Sequence, residues 1–352
     1  HSLGISPIFP FLRAAVRSKS WKIKSTGISI VGNIAFLAGN GILPFLTEMV
    51  DIISPSLGDE NITVVKGTIR CITNMAESVQ PLGGPAFEGV IPQIWEGVKN
   101  QSVRKVCLRS VGALLLTMEQ PKAARNFKEL LGDVLRCFRS LSVDEKLTGL
   151  VIFEHALNRD AVDTIQIENM SEEFFSQFWN NRSVLDSKIQ KHLVPITADI
   201  AKKSSLKIVV SHLFKDFKQQ PPDYRRLVIE TFNKLLELCD TATLTERMIF
   251  QINDDLVFAF EDIKDDQRKE QLYTNTLTNY VNQLGKRVEP ILEQISSQIM
   301  DRLNVPNHHV RKLSAGLLSI YADPLARCGK KNILLHFYGV LQEFIGEEYP
   351  EV

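Results

Sequence analysis

One short phrase recurs along this chain: an apolar residue or its equivalent, then proline, then more apolar residues. It stands at Phe9-Pro10-Phe11-Leu12, Leu43-Pro44-Phe45-Leu46 and Ile91-Pro92-Gln93-Ile94, and once more as Glu289-Pro290-Ile291-Leu292. The prolines are 34, 48 and 198 residues apart, the last interval close to five periods of about forty. A second phrase, Val103-Arg104-Lys105, returns as Val310-Arg311-Lys312 after 207 residues, again about five periods. Proline suits a helix start because the first turn has no use for the N–H it lacks. Self-similarity at this length, with helical patterning and almost no strand signal, predicts an all-α fold, an α-solenoid (superhelix) of paired helices. A solenoid offers an extended curved surface, not a central crevice.

The stretch Tyr224 to Cys239 shows what one unit contains. Leu227, Val228, Thr231, Phe232, Leu235, Leu238 and Cys239 line one broad apolar face, and Pro221-Pro222-Asp223 precedes them as a start signal. The preceding segment repeats the arrangement with Leu206, Val209, Val210, Leu213 and Phe217. Two such helices joined by Lys218-Gln219-Gln220 bury their faces against each other and against neighbours. Read this way, hairpins fall at 5–37, 40–79, 84–118, 121–159, 171–203, 205–239, 243–284 and 288–327, with a partial unit at 330–352. Units of about 41 residues with two helices each match HEAT repeats, about eight to nine of them. The expectation is a single continuous array over 1–352, loosest at 159–170, and a piece of a longer protein.

Composition removes several function classes. Lys plus Arg and Asp plus Glu are both 41, so the chain is not a uniformly basic sleeve, though a local basic stripe is compatible with zero net charge. Five cysteines (Cys71, Cys107, Cys137, Cys239, Cys328) form no C-x-x-C pair and read as free thiols, several of them on apolar helix faces. No uninterrupted run of about eighteen apolar residues is present, so no membrane span is expected. The N-x-S/T triplets at Asn61, Asn100, Asn169 and Asn181 read as chance matches.

Candidate chemistry is weak. Gly39-Asn40-Gly41 lacks the third glycine and the preceding strand of a dinucleotide loop, and reads as a helix-ending turn, as does Gly83-Gly84-Pro85. His308-His309 cannot put both rings on one helical face, so a surface or capping role is expected in place of a metal. Asp254-Asp255 and Asp265-Asp266 read as solvated edges. With no nucleophile beside a base, the chain reads as non-enzymatic, needing neither cofactor nor metal. Trp21, Trp95 and Trp179 lie in apolar patterns and are expected to pack between repeats. More suggestive are cations on successive inner helices: Lys22 and Lys24 open one, Lys66 and Arg70 sit on the next, and Arg104, Lys105 and Arg109 on the one after, either as a ladder or as ordinary solvated charge on exposed turns. Such a ladder would bind phosphates without regard to sequence and with strong salt dependence.

Two stretches go beyond generic patterning: Leu284-Gly285-Lys286-Arg287-Val288-Glu289-Pro290-Ile291-Leu292-Glu293-Gln294-Ile295 and Gly346-Glu347-Glu348-Tyr349-Pro350-Glu351-Val352. With Thr26-Gly27-Ile28, Ile42-Leu43-Pro44, Phe178-Trp179 and Tyr224-Arg225-Arg226, they resemble the HEAT domain of splicing factor 3b subunit 1. The resemblance implies a nuclear scaffold of pre-mRNA splicing that clamps the duplex of small nuclear RNA and intron branch site. The partners it implies are a β-propeller subunit, a small zinc-binding subunit and a DEAD-box ATPase. It also places Arg311, Lys312 and Tyr349 near the branch-adenosine pocket. The chain departs from the family at Asn61 to Val65 and Ser25 to Ser29, which carry no cation, and at Ile320 to Pro324. The alternative reading is a protein-only HEAT adaptor of the transport or phosphatase-scaffold type.

Overall fold

The structure, a computed structural model, describes residues 4–162, 167, 172–181, 186–263 and 266–343. Among them there is no strand. The terminal phrase at 346–352, with Tyr349, lies outside the described residues, as do Asp265 and Asn169 and parts of the connection at 159–170. Contacts divide the chain into two compact units, His1–Ile196 and Thr197–Val352.

In the first unit α1 (Phe9–Val16), α3 (Leu46–Ile53), the short α5 (Gly84–Phe87), α6 (Ile91–Lys99), α8 (Gln120–Arg139) and α10 (Glu172–Asn180) supply the first helices of successive pairs. The second helices of the pairs, the inner ones of the expected array, α2 (Trp21–Ala38), α4 (Ile62–Val79), α7 (Arg104–Leu115) and α9 (Val143–Asn158), stack each on the next. The helix α11 (Ser187–Lys203) runs through the division. Proline occupies the first turn of α1, α6 and α8, as the recurring phrase predicts for two of them. Pro44 differs: it sits in a 3₁₀ turn, and α3 begins two residues later. Asn61 caps α4 by accepting from the Thr63 amide at 2.9 Å, and α2 stops at Gly39, whose φ of 52° a Cβ would disfavour.

Inner helices touch where side chains are smallest. A methyl group added to Gly32 would lie 3.5 Å from Cys71 Sγ, and one on Gly112 would lie 2.7 Å from Ile152 Cγ1. These partners are about one period apart in sequence, so the inner helices run parallel and in register. Farther along, Phe153 packs against Phe174 and Phe178 with centroids 5.1 and 5.6 Å away, joining α9 to α10. Buried rings of this size contribute roughly 1.5–3 kcal/mol each. The Phe178-Trp179 pair is therefore core.

In the second unit α12 (Leu206–Leu213), α14 (Glu246–Ala259), α16 (Glu289–Leu303) and α18 (Lys331–Glu343) alternate with α13 (Pro222–Leu238), α15 (Gln267–Leu284) and α17 (His308–Arg327). Phe232 packs on Phe214 and Tyr280 at 5.1 and 5.3 Å. Between these layers Arg225 and Asp262 form an ion pair with side chains only 9% and 7% exposed, Nε donating to Oδ2 at 2.6 Å.

Three expectations need adjustment. Within residues 21–58 an 18-residue window reaches a mean hydropathy of 1.6, enough by length and composition alone to cross a membrane. They form two helices broken at Gly39 and Pro44, and α2 packs on α1 and α4. Trp21 does not pack; it is 44% exposed. Asp255 is not solvated either, being 5% exposed, with Oδ2 accepting no hydrogen bond, and burial pushes its carboxyl up to about 7. Its neighbour Asp254 faces out and pairs with Lys218 at 2.5 Å. By contrast, the His309 ring donates to the Ile263 carbonyl, while the cap of α17 is Asn307, whose side chain accepts from the His309 and Val310 amides. Asn181 is fully buried and donates to Gln177 and Phe178 carbonyls, which suits a chance triplet.

Candidate functional site

The predicted cation ladder divides into spent and open members. Lys24 is spent: its ammonium meets Asp59 at 2.5 Å, one period away, and holds that carboxyl below the usual range. Arg104 reaches from α7 to Asp133 on α8. Both pairs are partly exposed and fasten one hairpin to the next. Lys22 is exposed in the first turn of α2, its ammonium 5.9 Å from the Trp21 ring centre. Lys66 is half-buried on α4.

The open members converge. Arg70 on α4 and Lys105 and Arg109 on α7 line a groove of about 390 Å³ across α4, α7 and α9. Thr73, Asn74 and Asp144 complete its polar wall. Lys105 donates to Asp144 at 2.8 Å and keeps that carboxyl ionised below its ordinary range. Arg70 and Arg109 are exposed and form no ion pair with a described residue. Three cations against one facing carboxylate leave the groove net positive. Glu77 flanks it, its carboxyl pushed up by burial and pulled back by Arg109.

Local sequence explains the convergence. Positions 70 and 74, and 105 and 109, are each four apart, so each pair shares one helical face. The direct stacking of α7 on α4 then brings the two faces side by side. Asn74 and Asp144 were missed by sequence reasoning, although the four-residue spacing from Arg70 was available to find Asn74.

No family model matches the chain. Over its full length it is 31% identical to the U2 snRNP component prp10 of Schizosaccharomyces pombe and 28% identical to the U2 snRNP component HSH155 of Saccharomyces cerevisiae. It spans 29% of the first and 36% of the second. The chain is a splicing factor 3b subunit 1-like HEAT-repeat protein. Among solved structures, yeast importin-β (Kap95p) aligns with 99% of this chain and 47% of its own at a TM-score of 0.56 and 12% identity. An engineered protein aligns with 97% of this chain and 85% of its own, at a TM-score of 0.53 and 12% identity. Those two likenesses concern the α-solenoid fold alone.

The residues that carry the splicing factor 3b likeness are largely builders of the second unit. Gly285 ends α15 at φ 56°, and Pro290 opens α16. Between them Arg287 donates to the carbonyls of Thr241, at 2.9 Å, and Leu244. Arg225, in the Tyr224-Arg225-Arg226 phrase, is the buried partner of Asp262. Arg311 is 9% exposed and donates to the carbonyls of Val305 and Pro306 at 3.0 and 2.7 Å, so its guanidinium is committed to the turn before α17. Lys312 stands 3.8 Å from Glu270.

The thiols behave as core residues. Burial pushes Cys71 up to about 12, and Cys107 and Cys137 to about 11. At neutral pH these three are protonated and poor nucleophiles.

Proposed function

We propose that the chain is a segment of a nuclear splicing scaffold, a single continuous HEAT array over 1–352 that helps recognise and clamp the intron branch-site duplex and the intron downstream. On this reading the groove of Arg70, Lys105 and Arg109 holds RNA phosphates, with Lys22 and Lys66 extending the track. Lys24 and Arg104 set the spacing of the hairpins that carry them. The partners are branch-site pre-mRNA and small nuclear RNA, the β-propeller and small zinc-binding subunits of splicing factor 3b, and a DEAD-box ATPase. Arg311, Lys312 and Tyr349 are near the branch-adenosine pocket on this reading.

The observation that supports this best is the groove itself, where three cations from two adjacent inner helices meet a single carboxylate. Full-length similarity to two U2 snRNP components supports the setting. Phosphate binding of this kind is an exchange of bound counterions, so affinity falls linearly in log–log against salt, by about 0.7 per contact on single strands. The test is RNA affinity against salt for the wild type and for R70E/K105E/R109E. The variant is expected to bind more weakly and to lose about 2 from the slope. An unchanged slope removes these residues from the site. Absence of RNA binding at any salt would favour the protein-only adaptor.

A further inference from the structure

The groove leaves the first turn of α2 unexplained. There the Trp21 indole is 44% exposed although every apolar pattern around it predicts burial. Arg17, Lys19 and Lys22 surround it within six residues and are exposed. None of the three forms an ion pair with a described residue. The one carboxylate bound in that first turn, Asp59, is held by Lys24. Ser20 precedes the helix without capping it, so the amides of Trp21, Lys22 and Ile23 have no side-chain acceptor.

Three independent features thus meet at one edge. An open helix N-terminus favours a negative group at its free amides, and α2 has 18 residues of aligned peptide dipoles behind it. Uncommitted cations on the adjoining turn supply the charge that holds a phosphate ester. A flat exposed indole beside them supplies a face on which a base can stack, and stacking accepts any base because each has a π-face. An acidic peptide would use the cations and amides but has no need of a bare aromatic face; a single-stranded nucleic acid uses all three.

We propose that Trp21, with Arg17, Lys19 and Lys22, is a base-stacking platform for single-stranded RNA at the open end of α2. This rests on the reading of the chain as an RNA scaffold and adds a contact that is not ionic. The parallel register carries the edge of α2 directly onto that of α4, so a strand leaving the platform meets Lys66 and then Arg70.

The test uses the whole chain and a labelled fifteen-residue oligouridylate, followed by anisotropy. W21A is expected to bind about 5- to 100-fold more weakly with the salt slope unchanged, because stacking releases no counterions. W21F, which keeps a ring, is expected to recover most of that loss. Replacing Arg17, Lys19 and Lys22 by alanine is expected to flatten the slope. Thermal melts of the exposed-site variants matching the wild type establish that folding is intact. Wild-type affinity in W21A, with weakened binding in R70E/K105E/R109E, overturns the platform and leaves the groove standing. Equal losses in W21A and W21F overturn stacking. Competition by polyglutamate as strong as by oligouridylate overturns the RNA assignment. If neither W21A nor the groove variant alters binding, both readings fail together.

Discussion

The two copies of Val-Arg-Lys, 207 residues apart, both sit at the start of an inner helix and use their charge in opposite ways. In the first unit Arg104 reaches sideways to Asp133, and Lys105 stands at the groove with Asp144. In the second, Arg311 folds back onto the Val305 and Pro306 carbonyls. The preceding turn decides between them. At 100–103 the Asn100 carbonyl takes the amides of Val103 and Arg104, and its side chain takes that of Ser102, so the turn is satisfied without help. At 304–307 Pro306 supplies no amide, and a guanidinium fills the deficit. The same contrast recurs around it: the second unit hides charge in its framework, as Arg225 with Asp262, and the first leaves much of it at the surface.

If that contrast is right, truncating cations will separate the units by stability. The largest effect belongs to R225A, which strands Asp262 in a buried site and is expected to cost about 3–5 kcal/mol in urea unfolding. A loss below 1 kcal/mol would mean the pair is not truly desolvated.

Asp255 gives the next test, through pH. Its carboxyl is held up near 7, above an ordinary value of 3.8, chiefly by burial, with Asp254 adding to the rise and Lys218 opposing it. A folded form that keeps its proton more tightly than the unfolded chain is favoured at low pH. Stability from this group therefore falls as pH climbs from about 4 to 7, then levels off. D255N is expected to gain a few kcal/mol over the wild type at pH 8 and nothing at pH 4. Parallel pH profiles for the two proteins would place the carboxylate in contact with water.

The smallest effect concerns the repeated phrase directly. R311A is expected to cost about 1.5–3 kcal/mol, since two carbonyls lose a charged donor. R104A breaks a partly exposed pair and is expected to cost no more than about 1 kcal/mol. Equal costs would dissolve the distinction between the two copies.

Much of the architecture was legible from periodicity alone. Proline starts and glycine stops bracket the helices, and a forty-residue period groups them into hairpins. The fate of individual side chains was not legible, because their partners sit one period away and their choice depends on a tertiary register. Nothing near Lys24 announces Asp59, and nothing near Arg104 announces Asp133. Trp21 misled for another reason: α2 is apolar on both flanks, with Ile23 and Ile30 exposed as well. A pattern that is hydrophobic all round cannot say which side is covered. The adjacent Asp254 and Asp255 diverge because successive helical residues point about 100° apart.

Gly112 leaves α7 and α9 almost backbone to backbone, and that contact acts as a shim of zero thickness. A valine or leucine there would wedge the hairpins open from one side, tilting the cations of α7 relative to their neighbours without altering a single charge. The spacing of the exposed cations of the first unit is thus adjustable by sterics at a residue that carries no charge.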